Sequence, residues 1–347
     1  ASTPVAFVAP RTPMEETLAT LWTEVLDVPA PGIHDNFFQL GGTSLSSVLM
    51  LARVQETLGT DIPLERFFEA PFIAALATVL ESSSEVSVYK PLEIPGSPLV
   101  LLSPNGTQTP LFCIHPVGGD VLCYSELARR LGEEQAFYGV RAQGLDGAQE
   151  PGQSIPAMAR SYVDHIRQLQ PSGPYRFMGW SMGGAIAFEM ARQLEAQGEH
   201  VEFLALIDAY AHPTGEVPPG TDLGARVKQY LAQELHQDAE HLDQPRLVAL
   251  RKVLEHHLLA IAAHTPEPYG GEVLLLQAED VSNRALQAND NGWRPVATGG
   301  LQVLSVPGTH HTLLRPPNVD RLAGLLRAAL RAIPREGDPS SRGKQAS

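Results

Sequence analysis

Ser181 stands in the string Gly179-Trp180-Ser181-Met182-Gly183, between an apolar run ending at Met178 and a helical pattern that continues to about Gln197. A Gly-x-Ser-x-Gly at a strand-to-helix turn has the form of a nucleophile elbow. The glycines let the backbone fold sharply, and the hydroxyl is lifted onto a helix N-terminus, where negative charge is favoured. An isolated match of this kind is usually an ordinary turn; a strand before it and a helix after it are what give it chemical meaning. A serine nucleophile needs a base, and the base needs an orienting carboxylate, in the chain order Ser, Asp, His for this arrangement. Asp208 directly follows the apolar run Val201 to Ile207, and Asp280 follows Glu272 to Leu276, so spacing leaves both open as the acid. Gly308-Thr309-His310-His311 follows the last run, Leu301 to Val306, where the base is expected; His310 and His311 are adjacent, so one faces the site and the other is packing or solvated. Acyl transfer also needs amide donors for a developing oxyanion. Met182, after the nucleophile, supplies one, and Val117 in the loop His115-Pro116-Val117-Gly118-Gly119 is the candidate second; His115 is read as structural.

A second serine draws attention in Asp35-Asn36-Phe37-Phe38-Gln39-Leu40-Gly41-Gly42-Thr43-Ser44-Leu45. Taken alone, Ser44 after two glycines is ordinary helix capping. His256, His257 and His264 fall in a helical pattern without the carboxylate or Cys that would complete a metal spacing, so they read as packed or solvated side chains and no metal is assigned.

These residues need two kinds of scaffold. From Pro13, Leu18, Leu21, Trp22, Val25 and Leu26 recur at helical spacing, a second periodic run starts at Ser44, and a third covers Phe72 to Leu80, which predicts a small three-helix bundle over residues 10–82. Ser82 to Pro98 is rich in Ser, Pro and Gly, so 83–98 reads as an extended linker. From residue 99 to 333, short apolar runs (Leu111 to Ile114, Ala136 to Val140, Tyr175 to Met178, Val201 to Ile207, Glu272 to Leu276, Leu301 to Val306) alternate with helical ones. That alternation predicts βαβ units and a mostly parallel sheet, with the strands' carboxyl ends on the edge where ligands bind. Residues from about 212 to 268 are helical in pattern only and read as a lid. The tail 334–347 has almost nothing to bury and reads as disordered.

Composition narrows the function. With 347 residues and 43% hydrophobic content, two domains are expected. A net charge of −14 repels nucleic acid and anionic lipid. No apolar run is long enough to span a bilayer, and no signal peptide is evident. Two cysteines, Cys113 and Cys123, without a CxxC spacing point to a reducing cytoplasm. The start at Ala1 instead of Met suggests a piece of a longer chain.

Residues 10 to 82, through Phe37-Phe38 and Gly41-Gly42-Thr43-Ser44-Leu45, resemble the peptidyl carrier domains of nonribosomal peptide synthetases. Residues from about 99 to 333 are similar to the thioesterase domains that end them, through His115-Pro116-x-Gly118-Gly119, Gly179-x-Ser181-x-Gly183, Leu206-Ile207-Asp208 and Gly308-Thr309-His310. The resemblance implies an all-α carrier bundle followed by an α/β-hydrolase fold with a helical lid. It implies 4′-phosphopantetheine attached covalently to Ser44, and a triad of Ser181, Asp208 and His310 with Met182 and Val117 as oxyanion donors. It implies, too, that a peptidyl thioester is transferred to Ser181 and released by hydrolysis or macrocyclisation. The implied partners are upstream condensation and adenylation domains and a phosphopantetheinyl transferase using coenzyme A, which the acidic surface of the carrier would attract. An esterase with an unrelated helical appendage would leave the Ser44 motif unexplained, and a catalytically dead binding scaffold would leave the Ser, Asp, His order unexplained.

Overall fold

A computed structural model of the chain describes residues 7–42, 44–60, 62, 66–67, 71–81, 92–94, 96–103, 106, 108–132, 135–145, 147–212, 225, 245–279 and 290–333. The N-terminal bundle holds α1 (Pro13–Leu26), α2 (Ser44–Leu58) and α3 (Ile73–Glu81). Helix α1 starts where the sequence places it: Thr12 caps it by accepting from the Glu15 amide at 3.2 Å, and Pro13, which has no N–H to leave unpaired, fills the first turn. Leu18, Leu21, Trp22 and Val25 are spaced to share one face, and all are buried. Phe37 is the hub of this core, edge-on to Trp22 at 5.1 Å and to Phe67 at 4.8 Å.

The larger unit is an eight-stranded sheet in the order β1 (Leu92–Glu93), β2 (Leu99–Ser103), β4 (Phe137–Val140), β3 (Leu111–Ile114), β5 (Tyr175–Trp180), β6 (Val201–Ile207), β7 (Val273–Ala278), β8 (Leu301–Val306). From β4 to β8 every pairing is parallel; β2 runs antiparallel to β4, and β1 to β2. The two antiparallel strands were not expected from sequence, and Leu92 and Glu93 lie inside the stretch read as linker. Alternate residues of each strand feed opposite layers. Phe112 and Ile114 pack under α5 (Ile155–Leu169) and α6 (Met182–Ala196), while Leu111 and Cys113 pack under α4 (Ser125–Leu131) and α8 (Asn318–Ala332). This is the α/β-hydrolase arrangement. Of the expected lid, α7 (Pro245–Ala262) is described, whereas the predicted helix from 225 to 235 lies, Ala225 excepted, outside the described residues, as does the tail 334–347. No helix among the described residues is long and apolar enough to cross a membrane.

The two units touch. Leu250 and Leu254 of α7, and Leu122, join the buried cluster of the N-terminal bundle, and the Arg315 guanidinium lies 3.7 Å from the centre of the Phe38 ring. Burial lowers the Arg315 pKa to about 10, which still leaves it charged at neutral pH.

Candidate active site

The parallel strands bring the ends of β3, β5, β6 and β8 to one edge, and the singled-out residues follow those ends. Strand β5 stops at Trp180, α6 begins at Met182, and Ser181 between them has φ +57° and ψ −126°. That conformation is costly for a residue with a side chain and marks a held turn. Two glycines make the turn sterically feasible. A Cβ on Gly179 would come 2.1 Å from the Gly183 carbonyl carbon, and one on Gly183 would lie 2.3 Å from the Ile114 oxygen and 2.7 Å from that of His115. The start of α6 is thereby pressed against the end of β3. The Ser181 amide donates to the Ile207 carbonyl at 3.0 Å, which ties the elbow to the residue before Asp208.

Asp208 is 1% exposed and is also at positive φ (+42°). Its Oδ1 accepts from the Ala278 amide at 3.0 Å, and its Oδ2 accepts from His310 Nδ1 at 2.8 Å. A carboxylate can only accept, so the proton sits on Nδ1 of His310 and the Nε2 lone pair is free for a proton from elsewhere. His310 reaches this position through Gly308, which has φ +100° and no space for a Cβ, Asn318 Nδ2 lying 2.3 Å from where one would be. The Trp180 ring packs 5.1 Å from the imidazole. His311 packs edge-on against His310 at 5.2 Å, and burial lowers its pKa. The rival acid Asp280 lies outside the described residues.

Among the described residues, two backbone amides at these strand ends lack a backbone acceptor. Met182 opens α6, so its N–H has no acceptor within the helix. In the loop after β3, among the described residues, the Val117 N–H has no partner either. His115 is fully buried; its Nδ1 donates to the Pro116 carbonyl at 2.7 Å, and its Nε2 accepts from the Tyr162 hydroxyl at 2.7 Å. Burial, followed by the nearby His257, pushes its pKa down to about 3, so it is neutral.

Three supports were not foreseen from sequence. The Tyr124 hydroxyl donates to the Ile114 carbonyl and accepts from the Trp180 amide, both at 2.7 Å, linking the loop strand to the elbow strand. The Trp180 ring and the Ala278 amide position His310 and Asp208. Each joins residues distant in sequence, and only for Trp180, as the variable residue of the elbow, was the position itself marked.

Ser44 is the first residue of α2; its side chain lies outside the described residues. The preceding turn is tightly determined: Gly42 donates to the Phe37 carbonyl at 2.9 Å, and a Cβ on Gly42 would strike the Phe37 ring at 2.2 Å. Gly41, at φ +106°, faces open space.

Two family models match the chain, one described as a thioesterase domain over residues 109–330 and one as a phosphopantetheine attachment site over residues 16–80. A dimodular nonribosomal peptide synthase of Bacillus subtilis (strain 168) is 31% identical, over 93% of this chain and 14% of its own length. Malpinin synthetase of Mortierella alpina is 34% identical, over 93% of this chain and 4% of its own. The chain thus spans a small part of the curated relatives it matches. Among solved structures, the NocB thioesterase domain, in covalent complex with a fluorophosphonate nocardicin G analog, is 31% identical with a TM-score of 0.55, over 67% of this chain and 99% of that one.

Proposed function

The chain belongs to the thioesterase family, and on that premise we propose that it is the terminal carrier–thioesterase unit of a nonribosomal peptide synthetase, releasing a peptide through Ser181. The carrier is assigned to residues 10–82 and the thioesterase to 99–333, with the lid at about 212–268. Leu92–Glu93, within the 83–98 connection, adds an edge strand to the thioesterase sheet. The observation that carries the reading is the Asp208–His310 hydrogen bond of 2.8 Å beside a strained Ser181 elbow.

In this mechanism His310 Nε2 takes the Ser181 hydroxyl proton as Oγ attacks the acyl carbon. Asp208 keeps His310 in the one tautomer that leaves Nε2 basic, and stabilises the imidazolium once it forms. The amides of Met182 and Val117 receive the oxyanion. As the tetrahedral species collapses, the C–S bond breaks, the proton on His310 passes to the departing sulfur, and the acyl group stays on Ser181 Oγ. His310 then deprotonates either water, giving a linear acid, or an amine or hydroxyl of the peptide itself, giving a ring, as that group attacks the ester carbon; the acyl–Oγ bond breaks and the proton passes from His310 back to Ser181 Oγ.

Ser44 is the residue that would hold 4′-phosphopantetheine, whose chemistry is to present the acyl group as a thioester with a good leaving thiol. The start of α2 suits its phosphate, since the first amides of a helix lack intrahelical acceptors and Gly41 leaves open space before them. Upstream condensation and adenylation domains and a phosphopantetheinyl transferase are the partners this reading needs. A reducing cytoplasm fits Cys113 and Cys123, both free thiols.

Intact mass after incubation with coenzyme A and a promiscuous phosphopantetheinyl transferase tests the carrier half. One pantetheine increment is expected, absent in Ser44→Ala. A fluorophosphonate tests the other half by labelling Ser181 and not Ser181→Ala. Absence of both adducts in the wild-type chain would overturn the proposal.

A further inference from the structure

The lid helix makes a side-chain hydrogen bond to the oxyanion loop. His257, on α7, is fully buried, and its Nδ1 lies 2.8 Å from the Val117 carbonyl oxygen. A carbonyl cannot donate, so Nδ1 carries the proton and holds that oxygen. The His257 ring stacks on that of His115, with centroids 4.8 Å apart and 14° between planes, and His115 holds the preceding carbonyl, Pro116. Two stacked imidazoles therefore grip two consecutive peptide groups of the loop. Peptides are planar and trans, so C=O and N–H of one group point in opposite directions. Fixing the Pro116 oxygen aims the Val117 N–H the other way, and fixing the Val117 oxygen does the same for the next amide. The Gly119 amide, which also donates to Pro116 at 2.9 Å, closes the turn from the far side.

We infer that His257 is a positioning residue for the oxyanion site: it fixes the Val117–Gly118 peptide directly and, by stacking on His115, steadies the Pro116–Val117 peptide whose N–H is the proposed donor. The residue type supports this. His257 Nε2 is buried with no hydrogen-bond partner among the described residues. A position that served packing alone would be better filled by an apolar side chain, because an imidazole here strands one ring nitrogen away from water. What it gains in exchange is the Nδ1–H to Val117. The same helix carries Leu250 and Leu254 in contact with the N-terminal bundle, so the loop's hold is anchored on an element that touches both units.

The inference rests on the assignment of Ser181 as nucleophile and Val117 as oxyanion donor, and its test separates the two. The full chain is assayed for hydrolysis of a short acyl-N-acetylcysteamine thioester, as wild type, His257→Phe, His257→Asn and His257→Gln. Phe keeps the stacking and volume without the donor, whereas Asn and Gln restore an N–H. Loss of a direct oxyanion donor lowers kcat by about 100- to 1000-fold, so a donor left in place but loosened is expected to lower it by about tenfold in His257→Phe. KM should stay within about twofold, and Asn or Gln should recover most of kcat. An unchanged kcat in His257→Phe, or a loss that neither amide restores, overturns the inference. Should His257→Phe fail to melt cooperatively, His257→Leu carries the same comparison. Fluorophosphonate labelling of the wild type is run alongside: no label on Ser181 would sink the underlying assignment, whereas label with unchanged kcat in His257→Phe sinks this inference alone.

Discussion

Ser44 and Ser181 both stand at helix starts among glycines, yet their surroundings are built in opposite ways. Ser44 opens α2 after a turn whose glycine at position 41 has open space around it. Ser181 is wedged at φ +57° between glycines that cannot carry a side chain, with its own amide tied to the end of β6 and the Asp208–His310 pair supplied by the neighbouring strand ends. A serine to be modified by another enzyme needs access and an anion-friendly helix start. A serine that itself attacks needs a base, an orienter and oxyanion donors, which only a rigid frame can hold in register. The same local signature thus serves two chemistries, and the wider frame decides which.

The sharpest way to break that contrast is to remove each hydroxyl. On the proposed mechanism Ser181→Ala lowers thioester release by about a million-fold, the scale seen when a triad nucleophile is removed, while pantetheine transfer to Ser44 continues at the wild-type rate. Ser44→Ala should do the reverse, abolishing the mass increment but leaving hydrolysis of a small soluble thioester within about twofold of wild type. Rates on both substrates check this; coupled loss in either variant would mean that the two serines are not independent.

Next in size is Asp208→Asn. An amide at this position can donate to His310 and so favours the wrong tautomer, with an expected loss in kcat of about 10,000-fold and little change in melting temperature. Single-turnover acylation measures it. A loss below about tenfold would point to another carboxylate as the orienter.

The glycines carry the contrast into stability. Gly183→Ala forces a Cβ to within 2.3 Å of a backbone oxygen, so something in the β3–α6 contact must shift. A cost of about 3 kcal/mol or more is expected, with loss of activity. Gly41→Ala meets nothing within 4 Å and suffers only from its φ of +106°, a cost of about 1–2 kcal/mol. Denaturant melts of the two variants rank them; equal destabilisation would remove the distinction between a wedged turn and an open one.

These positions also show what could be read before folding. The runs Leu111–Ile114, Val201–Ile207 and Leu301–Val306 are strands with the bounds expected, the first as the continuous apolar run of a buried parallel strand and the last, with Gln302 and Ser305, as a half-exposed edge strand. The strands at 92–93 and 99–103 are not legible in the sequence: they pair antiparallel at the sheet edge, and the first lies in the 83–98 stretch whose Pro and Gly content suggests a linker. Ser181, Asp208 and His310 each follow a strand, which marks their positions in the sequence, although the same spacing leaves Asp280 open as the acid. The grip of His257 on Val117 was not, since it joins residues 140 apart and its only local sign was a histidine in a helical pattern.

Acid distinguishes the two units by a smaller effect. Burial holds the His257 pKa down to about 4 and the His115 pKa to about 3, against an ordinary value of 6.5. In the folded state both stay neutral, while in the unfolded chain they take up protons below about pH 6.5. Their contribution is therefore complete above pH 6.5 and is lost as pH falls towards 4. For His257 the loss is on the order of 2–3 kcal/mol over that window. His256 adds repulsion to the charged form, in the same direction. In the N-terminal bundle the corresponding group is Glu15, whose pKa lies below its ordinary 4.5 because Arg11 hydrogen-bonds it, so its contribution persists until pH falls below that value. Between pH 6.5 and 4.5 calorimetry should show the transition of the sheet unit moving down while that of the bundle holds. In His257→Gln the downward movement should be shallower. A bundle transition that falls in parallel with the sheet would mean that the contact through Leu250, Leu254 and Arg315 makes the two units melt as one.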